Sequence, residues 1–175
     1  AGLHTSWDLA VIRRVRKPKT SSLAGLLKEV GPRVNLVANL SLIDDFEVLD
    51  TDFAEILYRR GRARAHLMPI IDHSSKLVVG HALGEADNTE LALEAWGRAK
   101  KTLKRYGVAI EGLIVHQDQD SVYLGHGWLY ELTVRDKVHV SYSETGAKGN
   151  VHMEAFNSRL KTENRLVFWE QEDLT

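Results

Sequence analysis

Three carboxylates sit where a sheet and a helix could bring them together: Asp52, Asp118 and Glu154. Asp52 falls in residues 46–57, which alternate apolar and polar residues as a strand does. Asp118 follows the apolar run Ile110–Val115, the pattern of a strand covered on both faces, at the sheet edge where open α/β sheets place ligands. Glu154 lies in the first turn of a helix that Asn150 is placed to cap. Clustered carboxylates suit hard divalent cations, because Mg²⁺ takes a few protein oxygens and keeps water or phosphate oxygens for the rest. Two such ions a few Å apart promote in-line displacement at phosphorus. On spacing alone Asp50 replaces Asp52, and Asp120 replaces Asp118, equally well. His116, two residues before Asp118, is either structural or aimed into the same site.

The last helix adds a second pattern. Glu154, Asn157, Ser158, Lys161 and Arg165 share one face at helical period, with Met153, Phe156, Leu160 and Val167 on another. Such a polar face suits a phosphate backbone, and it equally describes an ordinary amphipathic helix. Three basic runs stand elsewhere: Arg13–Lys19, Arg59–Arg64 and Arg98–Arg105. With a net charge of −1, bulk electrostatics does not announce a polyanion, so only the local distribution points to one.

The elements that must position these groups read in order. Residues 1–45 form an N-terminal arm or linker from an upstream domain, with a short helix over Leu23–Val30 stopped by Gly31 and Pro32. Residues 46–175 form the core. Strands are expected over 46–57, Ala63–Ile71 and Lys76–Leu83. The short connections at Arg60-Gly61 and Asp72–Ser75 imply an antiparallel meander. The clearest helix runs from a capping box at Asp87 and Glu90 to Gly107, with Ala92, Ala95, Trp96, Ala99, Leu103 and Tyr106 on one stripe. A strand, a helix over Val122–Arg135, a strand over Val138–Tyr142 and the final helix from Asn150 to about Arg165 complete the chain. The order predicts an α/β fold: a mixed five-stranded sheet with helices on its faces. Cysteine is absent, which excludes disulfides and thiolate metal sites and fits a reducing interior. No apolar run nears the roughly 18 residues of a membrane span, so no membrane association is expected.

Four blocks carry a resemblance. Thr51–Ile56 matches a T-D-I/F-T-like strand, and Pro69–Gly80 contains the sentence I-D-x-x-S-R/K-x-I/V-V-G. His116–Tyr123 matches H-x-D…Y, and Met153–Glu163 matches E-S/A-F-x-x-x-L/F-K-x-E. In this order, with 35 residues between Asp118 and Glu154, they resemble the integrase core of bacterial insertion-sequence transposases, relatives of retroviral integrases. The resemblance implies a ribonuclease-H-like fold, with Asp52, Asp118 and Glu154 as catalytic metal ligands, Asp72 in a turn, and Mg²⁺ as cofactor with Mn²⁺ able to substitute. It implies DNA contacts from Asn157, Arg159, Lys161 and Arg165, and DNA partners at element ends and target. It further implies self-association and a cytoplasmic location at the bacterial nucleoid. The implied activity is 3′-end cleavage followed by strand transfer. The alternatives are a ribonuclease-H-like nuclease that only hydrolyses, or a non-catalytic DNA-binding or assembly domain. Leu49, Ala54, Asp120 and Gly149 depart from the pattern, where Trp, Thr, Gly and Asp are common, but none removes a proposed ligand.

Overall fold

The computed structural model describes residues 34–143 and 150–174. The expected arm helix over Leu23–Val30, the first basic run and the Glu144–Gly149 part of the loop before the last helix lie outside them. A short 3₁₀ turn, Val37–Asn39, precedes the strands β1 (Val48–Thr51), β2 (Ala54–Tyr58), β3 (Ala63–Asp72) and β4 (Val78–Gly84). Helix α1 (Thr89–Arg105) leads to β5 (Ile114–Gln117), a short helix α2 (His126–Leu129) and β6 (His139–Tyr142). Helices α3 (Val151–Glu163) and α4 (Arg165–Glu170) follow.

The sheet is mixed and has six strands, not the five expected. The extra strand arises because the stretch read as one strand is broken. β1 and β2 both pair antiparallel with β3 in a single register, Leu49 opposite Asp72, Thr51 opposite Ile70, Ala54 opposite Leu67 and Tyr58 opposite Ala63. They form one strand interrupted at Asp52 and Phe53, and the residue opposite Asp52 in that register is Pro69. His73 N–H donates to the Val48 carbonyl at 2.8 Å, so by alternation residues 71 and 69 also face β1. Proline has no N–H to give, and the ladder fails there. The Pro69 carbonyl is taken by the Thr51 hydroxyl at 2.8 Å. β4 pairs with the other side of β3, while β5 and β6 extend the sheet beyond β1 as parallel strands.

The meander turn at Asp72 is fixed by a buried carboxylate. Asp72 accepts from Phe46 N–H at 2.7 Å, Ser75 N–H at 2.8 Å and the Ser75 hydroxyl at 2.6 Å. Phe46 has φ 63°, a left-handed conformation that a bulky residue adopts only when held.

α1 buries Leu91, Ala92, Ala95, Trp96, Ala99 and Leu103 against the sheet; Leu91 joins the expected stripe, and Tyr106, expected on it, is exposed because the helix ends at Arg105. Its cap is Asn88 rather than Asp87: Asn88 Oδ1 accepts Leu91 N–H at 2.9 Å. Trp96 meets Trp128 edge-on at 6.4 Å, and its indole N–H donates to Asp136 at 2.7 Å. That polar end is further neutralised by Lys100, 2.8 Å from both Asp136 and Glu131.

Other boundaries moved. The buried strand starts at Ile114 rather than Ile110, because Gly112 at φ 88° makes a turn of the residues before it. The helix expected from Val122 starts only at His126, and from Tyr130 it widens into a π-type turn to Arg135. The last helix breaks at Asn164 into two. Among the described residues no helix is long and apolar enough to cross a membrane.

Gly80 marks where α1 comes closest to β4. A Cβ there would lie 2.6 Å from the Ala95 carbonyl oxygen and from Ala99 N, backbone atoms that cannot step aside alone. Gly80→Ala is expected to lower unfolding stability by about 2–3 kcal/mol, read as a lower denaturant midpoint at unchanged m-value.

Candidate active site

β1 and β5 run parallel, with Asp50 paired to His116. Two residues further along each strand, Asp52 and Asp118 emerge side by side from the carboxyl edge. β1 stops there because its ladder fails at Pro69, and this turns Asp52 out of the sheet. The Asp52 carboxyl is raised to about 6, first by burial, then by the charge of Asp118 and, more weakly, by Asp120 and Glu154; a hydrogen bond from Phe53 N–H opposes the rise. Asp118 is also raised, by burial and by the charge of Asp120, while the Asp120 N–H donating to Asp118 Oδ1 at 2.9 Å lowers it. Glu154 stands exposed in the first turn of α3, acidic in the first turn as the helix dipole favours. The structure thus brings the three expected acids to one edge, with Asp52 in the field of both others.

Two amides dock α3 there, each in a task different from the one its sequence position suggests. Asn150 does not cap the helix with its side chain; its Nδ2 donates to the Thr51 carbonyl at 3.2 Å. Asn157, expected along DNA, is buried, and its Nδ2 donates to Asp52 Oδ2 at 3.3 Å. Its place on the open face is corrected: one turn past Glu154, it looks inward beside buried Met153. Nothing in a helical period distinguishes an amide facing solvent from one facing a carboxylate on another element.

Beneath the acids lies an aromatic floor. Phe53 stacks on Tyr123 at 5.5 Å, Tyr123 tilts against Trp128 at 5.9 Å, and the Trp128 indole donates to buried Gln117 at 2.8 Å. The Tyr123 hydroxyl is held well above its usual range by burial and then by Asp52. The residue after Asp52 is thereby fixed in orientation.

The competing acids separate cleanly. Asp50 is fully buried, with Oδ2 2.8 Å from His73 Nδ1, and it lines a different cavity with His116, Asn150 and His152. Burial, above all, lifts it to about 6. Asp120 spends Oδ1 on Val122 N–H at 2.9 Å and so caps the turn that follows. His116 is buried, with Nδ1 2.9 Å from the Ser141 hydroxyl; that hydroxyl also accepts Leu36 N–H at 3.0 Å and so ties residue 36 to β6.

Lys161 and Arg165 line an open groove of about 480 Å³ together with Glu55, Phe168 and Trp169. Arg159 points away into solvent and pairs with Glu163 at 2.8 Å.

Among the described residues no group of three His, Asp or Glu side chains is disposed to hold a metal ion as it lies. The donor chemistry nevertheless fits a divalent cation. Asp52 and Asp118 offer carboxylate oxygens at the open edge, and Asp52 is raised first by burial and then by the negative charge of Asp118. A Mg²⁺ ion needs only one or two protein carboxylates, with water or phosphate completing its shell.

A carboxyl held above its ordinary 3.8 takes up its proton at higher pH in the folded chain than in the unfolded one. Asp52 therefore costs stability above about pH 6, by up to ~3 kcal/mol, and that cost fades as the pH falls towards 4. In EDTA, Asp52→Asn is expected to melt several degrees higher than the parent at pH 8, with the gap closing by pH 4. Equal melting temperatures at pH 8 would contradict the charge crowding.

No protein-family model and no curated relative matches the sequence. Solved structures do. One is a chain of the simian T-cell lymphotropic virus intasome in complex with PP2A regulatory subunit B56 gamma. It is 14% identical with TM-score 0.59, and the match covers 70% of this chain and 41% of that one. Another is the catalytic domain of Mos1 mariner transposase, 14% identical with TM-score 0.55, covering 74% of this chain and 64% of that one. The same Mos1 domain with raltegravir and Mn matches at 13% identity and TM-score 0.54, with the same coverage. The chain thus spans about two fifths of the intasome chain and just under two thirds of the Mos1 domain. Its mixed sheet with helices is the ribonuclease-H-like fold of the integrase and transposase catalytic cores.

Proposed function

We propose that this chain is the catalytic core of a DNA transposase or integrase. In this reading Asp52, Asp118 and Glu154 hold divalent cations, Mg²⁺ or Mn²⁺, at the carboxyl edge of β1 and β5. The observation that carries it is the register of the parallel strands β1 and β5, which sets Asp52 level with Asp118 at one edge, with Asn157 of the helix that bears Glu154 donating to Asp52. Bound there, the cations supply Lewis-acid stabilisation of charge on the attacking and leaving oxygens of a phosphodiester. The Mn in the Mos1 structure is in keeping with this donor set.

The chain's own groups do the rest. Asn157 holds Asp52 Oδ2 by its amide and so orients the carboxyl. The Phe53–Tyr123 stack fixes the backbone that carries Asp52. Lys161 and Arg165, along the groove beside α3 and α4, neutralise phosphates of the bound strand. Arg159 joins them only by giving up Glu163, an exposed pair that costs little to break. Water attacks first at an element's end: the P–O3′ bond breaks, the departing 3′-oxygen takes up a proton, and the other fragment keeps a 5′-phosphate. The freed 3′-hydroxyl then attacks a target phosphodiester, its new P–O bond forming as the target's P–O3′ bond breaks, and the proton it loses passes through solvent to the departing target 3′-oxygen. Partners in this reading are DNA ends, target DNA and further copies of the chain.

An oligonucleotide with a free 3′-hydroxyl, offered target DNA and Mg²⁺, tests the whole reading. Strand joining is expected from the parent chain, and Asp118→Asn should lower it by about 1,000-fold or more, as loss of several kcal/mol of transition-state stabilisation requires. Asp120→Asn, which keeps the oxygen that caps Val122 N–H, should stay within roughly tenfold of the parent. Cleavage without joining would make the chain a hydrolytic nuclease. Undiminished joining by Asp118→Asn would remove that residue from the centre.

A further inference from the structure

The turn between β2 and β3 is chemically at odds with its own shape. Arg59, Arg60 and Gly61 have φ 50°, 55° and 78°, three left-handed residues in succession. The turn is closed by Gly61 N–H donating to Tyr58 O at 3.0 Å and Arg62 N–H to Arg59 O at 3.1 Å. Asn or Gly adopts this conformation at little cost, whereas arginine is strained in it. The strain is held down by the C-terminal segment: Arg59 N–H donates to Gln171 O at 2.9 Å and Arg60 N–H to Trp169 O at 2.7 Å. The Trp169 ring lies so close over Gly61 that a Cβ there would come within 2.9 Å of it.

Intramolecular pairing explains only half of these arginines. Arg64 pairs with Glu55 at 3.2 Å, and Arg59 lies over the Tyr58 ring and donates through Nε to the Glu172 carbonyl. Arg60 and Arg62 are exposed, and neither pairs with a described carboxylate. A strained, doubly braced turn therefore presents two unneutralised guanidinium groups to solvent. Trp169, which braces it, also lines the groove that holds Lys161 and Arg165. Lys161 is about 10 Å along α3 from Glu154. The cations so continue one track from the acidic edge, along α3 and α4, to the turn.

We propose that the Arg59–Arg64 turn is a second DNA-backbone contact, gripping the duplex that flanks the strand held at the acidic centre. This rests on the reading of the chain as a DNA-processing core and adds to it a contact outside the acids and the groove. Strain that shape alone does not need is the mark of a group kept for binding. The bonded turn fixes the backbone that carries these guanidinium groups, so only side-chain freedom is lost when phosphates arrive.

The experiment is fluorescence anisotropy of a labelled duplex of arbitrary sequence, titrated with the whole chain in EDTA at several salt concentrations. Arg60→Asn with Arg62→Gln is compared with the parent. The double variant should melt at the same temperature or higher, because Asn fits the left-handed position. Its salt slope should be shallower by about 2, so that between about 50 and 200 mM salt the parent loses roughly 10-fold more affinity. If the double variant misfolds, Arg62→Gln alone, at an ordinary backbone position, should flatten the slope by about 1. An unchanged slope in a folded variant overturns the proposal, as does failure of the parent chain to bind duplex. Because metal is absent, a flattened slope supports the turn even if strand joining fails, and an unchanged slope rejects it even if joining succeeds.

Discussion

A missing N–H organises this molecule. Pro69 sits in the middle of β3, facing the neighbour strand, and cannot complete the ladder opposite Asp52. Proline inside a sheet normally demotes the strand that holds it, yet β3 remains ten residues long because its other edge is carried by β4. The loss falls entirely on the partner, which ends as β1, releases Asp52 and Phe53, and resumes as β2 in the same register. Without that break Asp52 would stay within the strand. With it, the carboxyl projects at the sheet's edge, level with Asp118 on a strand that ends at the same height.

The surrounding packing keeps the break from spreading. Phe53 is anchored on Tyr123, Thr51 donates to the idle Pro69 carbonyl, and Asn150 takes the Thr51 carbonyl. On the opposite end of the meander, the buried Asp72 carboxylate collects three donors and fixes the turn between β3 and β4. Two aspartates thus do opposite things: Asp72 gathers backbone and hydroxyl donors that fix a turn, whereas Asp52 stands among like charges.

What the amino-acid order made legible was the arrangement of elements and the location of the acids. Period-2 and period-3.6 patterns gave the meander, the α1 stripe and the alternation that follows, because burial alone writes those patterns. Asp118 and Glu154 each fell at the end of a recognisable element, whereas Asp52 read as the interior of one long strand; the preference for Asp52 and Asp118 over Asp50 and Asp120 came from the resemblance of the four blocks. The structure gives those two a reason to differ, a His73 partner and a backbone cap. Less legible were features that depend on a distant partner. The break at Asp52 is written in Pro69, seventeen residues away. The Asn88 cap could not be told from Asp87, since both side chains can cap. Asn157 looked outward because helical period fixes a residue's angle about the axis but not what element covers that side.

The two halves of the acidic edge are not equally anchored. Asp52 and Asp118 ride on paired strands inside a sheet, whereas Glu154 rides on a helix tethered to that sheet by the amides of Asn150 and Asn157. Each such bond is worth about 1 kcal/mol net, far less than an ordered strand pair. The spacing of the third acid from the other two is thus set by two amides and the buried Met153 side chain rather than by a hydrogen-bonded ladder, so a change at Asn150 or Asn157 shifts Glu154 while leaving Asp52 and Asp118 level.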